Sequence, residues 1–503
     1  MYARWPRFTL AGLLGSAALW AAINPTGDIL ASWPAGFEEK HIALLRQGGV
    51  TVVLLPWPGA QSVGKFARAC RAAGIVPVAQ LGAAKSLLEI RKSVEQARAA
   101  GFNGIAVETG GVFNDEKSLR AFIAGLKGLD ALVFLKAEQA HWRVAPAQAV
   151  LRFGQWPGVR FTSNVRSRDI EVSSASRDPW LDANSYLVAY LRGMFPDRAA
   201  WLGYRPDQEA GISKDRVVPE DSLELALVET FVAGGGVVLS FPEKYQAALV
   251  AGQERALAAW RSLAQIAAFL KQHAESFRQP SASTVAVAAG SIEQSGEILN
   301  MLYRRNVGPV VFPANAMPEL EPSRFRVVVV ANVAAPPAPG VKRVLEYAAA
   351  GGTVLVAPAA TGDRAWWLGP AARKTRTDED RDWYSLGTGR IIAYRAPIED
   401  PSEFALDVID AVGVRTRDLR LSNAGSVIGL MNRLSGDTLA LGLINYGWPR
   451  RDDFPVRVEG AFRKATFIEP GAAAPRSLKP VKRGTGTELR VDRLKRFAIV
   501  VLE

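Results

Sequence analysis

The chain has 503 residues, 49% hydrophobic and 22% charged, with a formal net charge of +12. That length exceeds what one core usually supports, so about two to four domains are expected, and the composition excludes disordered and fibrous classes. The basic residues are scattered, densest at 373–376 and 479–483. Scattered charge marks a solvated surface and argues against a nucleic-acid partner, whereas an acidic polysaccharide would suit the balance.

Residues 1–18 carry Arg4 and Arg7, a short apolar stretch and Ser16-Ala17-Ala18. That is the pattern of a secretory signal peptide with a cleavage site, and the expectation is a secreted or periplasmic protein. The alternative is an N-terminal helix in a cytoplasmic protein. No later run is long and apolar enough to span a bilayer. The one cysteine, Cys70, excludes a disulfide framework and reads as core. His41, His141 and His273 lie far apart without ligand spacing, so neither a metal nor another cofactor is expected.

From residue 19 to 279 strand-like and helix-like segments alternate. Strands are predicted at 20–24, 51–55, 76–81, 105–107, 131–135, 159–163, 200–204 and 237–241. Amphipathic helices separate them, several stopping at glycine (Gly48-Gly49, Gly74, Gly101, Gly128, Gly158) as a left-handed C-terminal cap requires. Eight β/α units in this length predict a (β/α)8 TIM barrel, with an open doubly wound sheet as the alternative. Two insertions, 164–198 and 207–221, fall on the C-terminal face of the strands, where long loops form walls and lids. A long helical stretch, 245–277, closes the unit, and 278–283 reads as a linker.

Residues 284–394 then predict a small flavodoxin-like layer, with the buried run Val327-Val-Val-Val330 at its centre. Residues 396–503 switch to short alternating strands between Gly, Pro and Arg turns, which predicts an antiparallel β-sandwich.

The order barrel, flavodoxin-like layer, β-sandwich resembles the β-galactosidases of glycoside hydrolase family 42. In the middle unit, Phe325-Arg-Val-Val-Val-Val-Ala-Asn332 and Ala350-Gly-Gly-Thr-Val-Leu-Val-Ala-Pro358 are similar to that family's trimerisation domain, itself similar to class I glutamine amidotransferases. The resemblance implies assembly through this domain as a homo-oligomer. It does not imply amidotransferase chemistry, because Ala331-Asn332 stands where a cysteine nucleophile is needed. Leu441-Gly-Leu-Ile-Asn-Tyr446 and Arg496-Phe-Ala-Ile-Val-Val-Leu-Glu503 resemble the closing β-domain of many glycosidases. Retaining members of the family carry Asn-Glu at the end of strand four and a second Glu at the end of strand seven. Here strand four ends Val107-Glu108 without Asn, and strand seven ends Gly203-Tyr204-Arg205 without a carboxylate.

Glycoside hydrolysis takes two carboxylates, about 5–5.5 Å apart for retention or 6.5–9.5 Å for inversion. Glu108 is the first candidate: it ends a buried strand and runs into Thr109-Gly-Gly111. Glu209 and Asp207, in the insertion after strand seven, are the leading candidates for its partner. Glu138 beside Lys136, Asp169 and Glu243 rank behind them, Glu243 as ordinary first-turn chemistry of a helix. Sugar sites add flat apolar platforms and neutral hydrogen-bonding groups. Trp57, Trp142, Trp180 and Tyr204 are candidate platforms, and Asn24, Gln80, Asn164 and Arg205 candidate polar contacts. Trp366-Trp367 reads as an interface patch. The resulting expectation is a glycoside hydrolase acting on oligo- or polysaccharide. The alternatives are a non-catalytic carbohydrate-binding or envelope protein on a degenerate glycosidase scaffold, and a lyase or deacetylase on the same barrel.

Overall fold

A computed structural model describes residues 23, 28–34, 36–59, 61–82, 86–152, 156–160, 180–204, 220–334, 338–360, 365–447 and 451–503. Apolar runs too continuous to face water on either side force the first strands into a ring with fillings on both faces. Eight parallel strands close it: Leu30–Ser32, Val52–Trp57, Val76–Leu81, Gly104–Glu108, Asp130–Leu135, Gln148–Arg152, Trp201–Gly203 and Gly236–Ser240. Along each strand alternate residues point opposite ways. Leu30, Val52, Leu54, Val78, Ala106, Leu132, Val150, Trp201 and Val238 fill the lumen. Val53, Leu55, Ala79, Ile105, Val107, Val133, Leu151 and Leu239 pack under the surrounding helices. The lumen is therefore a packed core and the open chemistry is confined to its rim.

Two predicted strands are corrected. The first is Leu30–Ser32, wedged between Val52–Leu54 and Val238–Ser240; of 20–24, only Ile23 is described, and it is buried at the lumen floor. The sixth is Gln148–Arg152, not 159–163. Gly158–Arg160 instead pairs antiparallel with Trp180–Asp182, off the ring. Local β-propensity favours the later segment, but only the earlier one puts Val150 into the lumen and Leu151 into the helix layer. The predicted stretch 245–277 is divided into the helices Glu243–Val250, Glu254–Gln272 and Ala274–Arg278. Helix termination follows expectation at Gly101, whose φ of 93° a side chain would resist. At the other end of that helix (Leu87–Ala100), Ser86 accepts a capping bond from the Glu89 amide.

Next comes a seven-stranded sheet. Its parallel part runs Val310–Pro313, Val285–Ala289, Val327–Val333, Thr353–Pro358, Gly389–Tyr394, the 2-1-3-4-5 order of a doubly wound layer. Arg381–Leu386 and Arg373–Thr377 extend it antiparallel. Trp367 is buried in this sheet's core, with Trp366 edge-on beside it, so that pair serves packing. The C-terminal part is two antiparallel sheets, of four and five strands, around a shared apolar core that includes Leu441, Phe454, Phe467 and Val500. This is a β-sandwich.

The three parts are pressed together. Helix Ser185–Met194 packs on strand Val310–Pro313, and Gly193 leaves no room there for a Cβ against the Val311 carbonyl. At Gly442 a Cβ would lie 2.5 Å from Val232 of the barrel's helix Glu220–Val232. Phe269 meets Phe497 edge-on and Phe277 meets it at a tilt, and one apolar cluster runs through all three parts. Among the described residues no helix is long and apolar enough to cross a membrane.

Candidate functional site

The alternation that fills the lumen also decides what stands at its mouth. The lumen-facing residues that end the strands are Ser32, Pro56, Gln80, Glu108, Phe134, Arg152, Gly203 and Ser240. Glu108 is the one carboxylate in this set. Ser32 Oγ donates to Gln80 Oε1 across the rim (3.3 Å), although their strands are not neighbours. On the opposite side Arg152 Nη1 lies 3.7 Å from Glu108 Oε2, an ion-pair distance rather than a hydrogen bond. The Arg152 guanidinium sits 4.2 Å over the Phe134 ring, which fixes its plane. Glu108 keeps 36% of its side chain exposed and Arg152 16%, so the carboxylate is reachable from the mouth.

The glycine turn after Glu108 holds it there. Gly110 has a φ of 104° and exchanges two 3.1 Å backbone bonds with Phe113, folding the chain back at once. Thr109 is buried, and its hydroxyl donates to the Phe134 carbonyl at 3.1 Å. The strand end therefore cannot shift without breaking these bonds. A fixed, accessible carboxylate beside a cation and neutral amide and hydroxyl groups can orient a hydroxyl or exchange a proton with a bound molecule.

Of the other expected site residues, Gln80 joins Glu108 at the mouth. Trp57 and Tyr204 do not, because outward parity carries their side chains into the helix layer, and neither does Trp142, on the loop after the short helix Ala137–Gln139. Trp57 donates from Nε1 to the Ser93 carbonyl at 3.1 Å and meets Phe102 edge-on. Trp142 is buried in the outer core. Tyr204 stacks on Trp156 and donates its hydroxyl to Glu229 at 3.0 Å. Asn24, Asn164, Asp169, Arg205, Asp207, Glu209 and the side chain of Trp180 lie outside the described residues. Glu138 is exposed on the short helix Ala137–Gln139, and Glu243 opens its helix after Pro242, the ordinary first-turn placement.

Two residues that matter were not singled out from sequence. Arg152 belongs to the strand that was misplaced. Glu229 lies in helix Glu220–Val232 with no exposed surface. It accepts from the Asn184 amide (2.8 Å) and Nδ2 (3.1 Å), and from the hydroxyls of Tyr204 (3.0 Å) and Tyr446 (2.9 Å). Burial pushes its carboxyl up to about 7, against the pull of those donors. The same burial raises both tyrosine hydroxyls above their ordinary value, with the Glu229 charge adding to it. Tyr446 comes from the β-sandwich, so Glu229 clamps that unit to the barrel and has no opening to a ligand. A signal was present: the helix carries Leu225, Ala226, Leu227, Val228, Phe231 and Val232 all round, and a helix apolar on every side is buried.

No family model matches the chain, and neither does any curated protein. Solved structures do. An α-L-fucosidase isoenzyme 2 from Paenibacillus thiaminolyticus superposes with a TM-score of 0.61 at 10% identity, over 95% of this chain and 100% of that one. A β-galactosidase from Bacillus circulans sp. alkalophilus gives 0.59 at 10% identity, over 95% and 99%. A family 42 β-galactosidase from G. stearothermophilus gives 0.55 at 9% identity, over 96% and 99%. The chain thus has the fold of family 42-like glycosidases along nearly its whole length, and at this identity the likeness is one of fold.

Proposed function

We propose that this chain is a glycoside hydrolase that binds an oligo- or polysaccharide in the barrel mouth and uses Glu108 as one of two carboxylates. The observation that carries the reading is the position of Glu108: lumen-facing, at the C-terminal end of the fourth of eight closed strands, and partly open to solvent. The fold shared with a fucosidase and β-galactosidases supports it. Glu108 acts either as the acid that protonates the glycosidic oxygen or as the base that takes a proton from the attacking water, and Asp207 or Glu209, just beyond strand seven in sequence, supplies the partner carboxylate. Gln80, Ser32 and Arg152 orient hydroxyls, with Phe134 buried beneath the Arg152 guanidinium. The reading includes export, on the pattern of residues 1–18, and assembly of copies through the middle sheet.

A second reading, a saccharide-binding protein without turnover, is favoured by two residues. Gly203 occupies the lumen-facing end of strand seven, and Arg152 rather than an acid stands beside Glu108. Aryl-glycosides and polysaccharides presented to the wild type and Glu108→Gln separate the two. Turnover present in the wild type and lost in the variant supports hydrolysis; equal binding by both with no turnover supports the second reading. A protein that binds and cleaves no saccharide sinks both.

A further inference from the structure

The barrel mouth is electrically lopsided. On one side Ser32 and Gln80, bonded to each other, are neutral. The charges gather on the other, at the ends of strands four, five and six. Phe134 is the last inward residue of strand five, and Lys136, two positions on, keeps that parity in extended backbone (φ −80°, ψ 167°). Its Nζ reaches the turn that follows Glu108: a Cβ placed on Gly110 would lie 3.6 Å from it. Lys136 is exposed, and no ion pair engages it among the described residues. Glu138, exposed on the short helix that comes next, makes none with it.

Arg152, at the end of strand six, lies over the Phe134 ring and comes within 3.7 Å of Glu108 on strand four. The end of strand seven leaves room for this arrangement. Gly203 pairs with Arg152, and a Cβ there would crowd Val150 at 3.1 Å and the Phe134 ring at 3.3 Å. Two cations and one carboxylate therefore share this side of the mouth, and Glu108 can balance only one of them. The whole chain, at +12, adds field of the same sign. A cleft with an excess of one charge concentrates ligands of the other. An uncharged sugar would leave that excess unused, whereas carboxylate or sulfate oxygens accept charge-assisted bonds from both lysine and arginine.

We propose that the saccharide taken by this mouth is acidic, a chain of uronate or sulfate-bearing sugars whose anionic group is held by Lys136 and Arg152 while its hydroxyls meet Gln80 and Ser32. The inference rests on the saccharide reading and narrows it to a substrate class. Lys136 and Arg152 are then specificity residues, and Glu108 is left to the glycosidic bond.

The test titrates the full-length protein calorimetrically with tetrasaccharides of galacturonate, of mannuronate, of hyaluronan and of a sulfated galactan, each beside its neutral counterpart (the methyl ester or the unsulfated chain). The acidic member of at least one pair should bind about tenfold tighter or better, and the preference should shrink as salt is raised. Lys136→Gln and Arg152→Gln should each remove most of it. The pair that responds tells carboxylate from sulfate. Equal binding of charged and neutral members, or a preference that survives in both variants, overturns the proposal. Neutral glycosides cleaved in a Glu108-dependent way without an acidic preference sink this inference alone. A protein that neither binds nor cleaves any saccharide sinks the hydrolase reading with it.

Discussion

At the barrel mouth Glu108 keeps about a third of its side chain in solvent and faces Arg152 across 3.7 Å. At the seam with the β-sandwich Glu229 is sealed from solvent and takes four donors drawn from three separate stretches of chain. The two carboxylates are chemically identical and lie in the same unit, yet their surroundings give them opposite duties. One is reachable and held in place by its backbone, so it can meet something arriving from outside. The other has every lone pair directed at the protein, so its charge is consumed in joining parts.

That contrast can be broken most forcefully at Glu229. Glu229→Ala leaves the Asn184, Tyr204 and Tyr446 donors buried without an acceptor, and should cost on the order of 4 kcal/mol in chemical denaturation. A loss below about 1 kcal/mol would mean that the cluster is not a clamp. The second handle is pH. An acid whose folded value is raised to about 7 is favoured in the folded protein while protonated. Its contribution is fully present below the ordinary carboxyl value, near 4.5, and is lost as pH climbs through about 7. Stability should therefore fall by up to about 3 kcal/mol across that window, and Glu229→Gln should flatten the fall. Tyr446→Phe removes one donor to the charged form and should cost about 1.5–3 kcal/mol, more at pH 8 than at pH 5. The smallest effect belongs to the mouth: Glu108→Gln and Arg152→Gln should each change stability by less than about 1 kcal/mol while altering saccharide turnover or binding. A large destabilisation there would turn Glu108 into a second structural carboxylate.

Much of the barrel was legible because burial on two faces writes itself as runs such as Val52-Val-Leu-Leu55, and because glycines punctuate the helix ends. The shortest strands were not. Leu30–Ser32 has three residues, too few to show a period, and Gln148–Arg152 has a polar residue at each end, of which only Arg152 stands at the rim. Glu108 could be found because a charge followed by a glycine turn interrupts an apolar run. The aromatics misled by a single residue of parity: Trp57 ends and Tyr204 directly follows strands whose last inward positions are Pro56 and Gly203. Glu229 could not be paired from sequence, since its acceptor role depends on Tyr446, 217 positions away.

The apolar body that runs from the barrel helices through Val287 and Val329 to Ile444 and Phe497 has a practical consequence. Cutting the chain at the linker would strip Phe277 of Phe497 and Val232 of the strand carrying Gly442, baring greasy faces on each fragment. Such pieces should clump rather than fold, so the barrel is not a detachable cartridge that engineers can lift out and regraft.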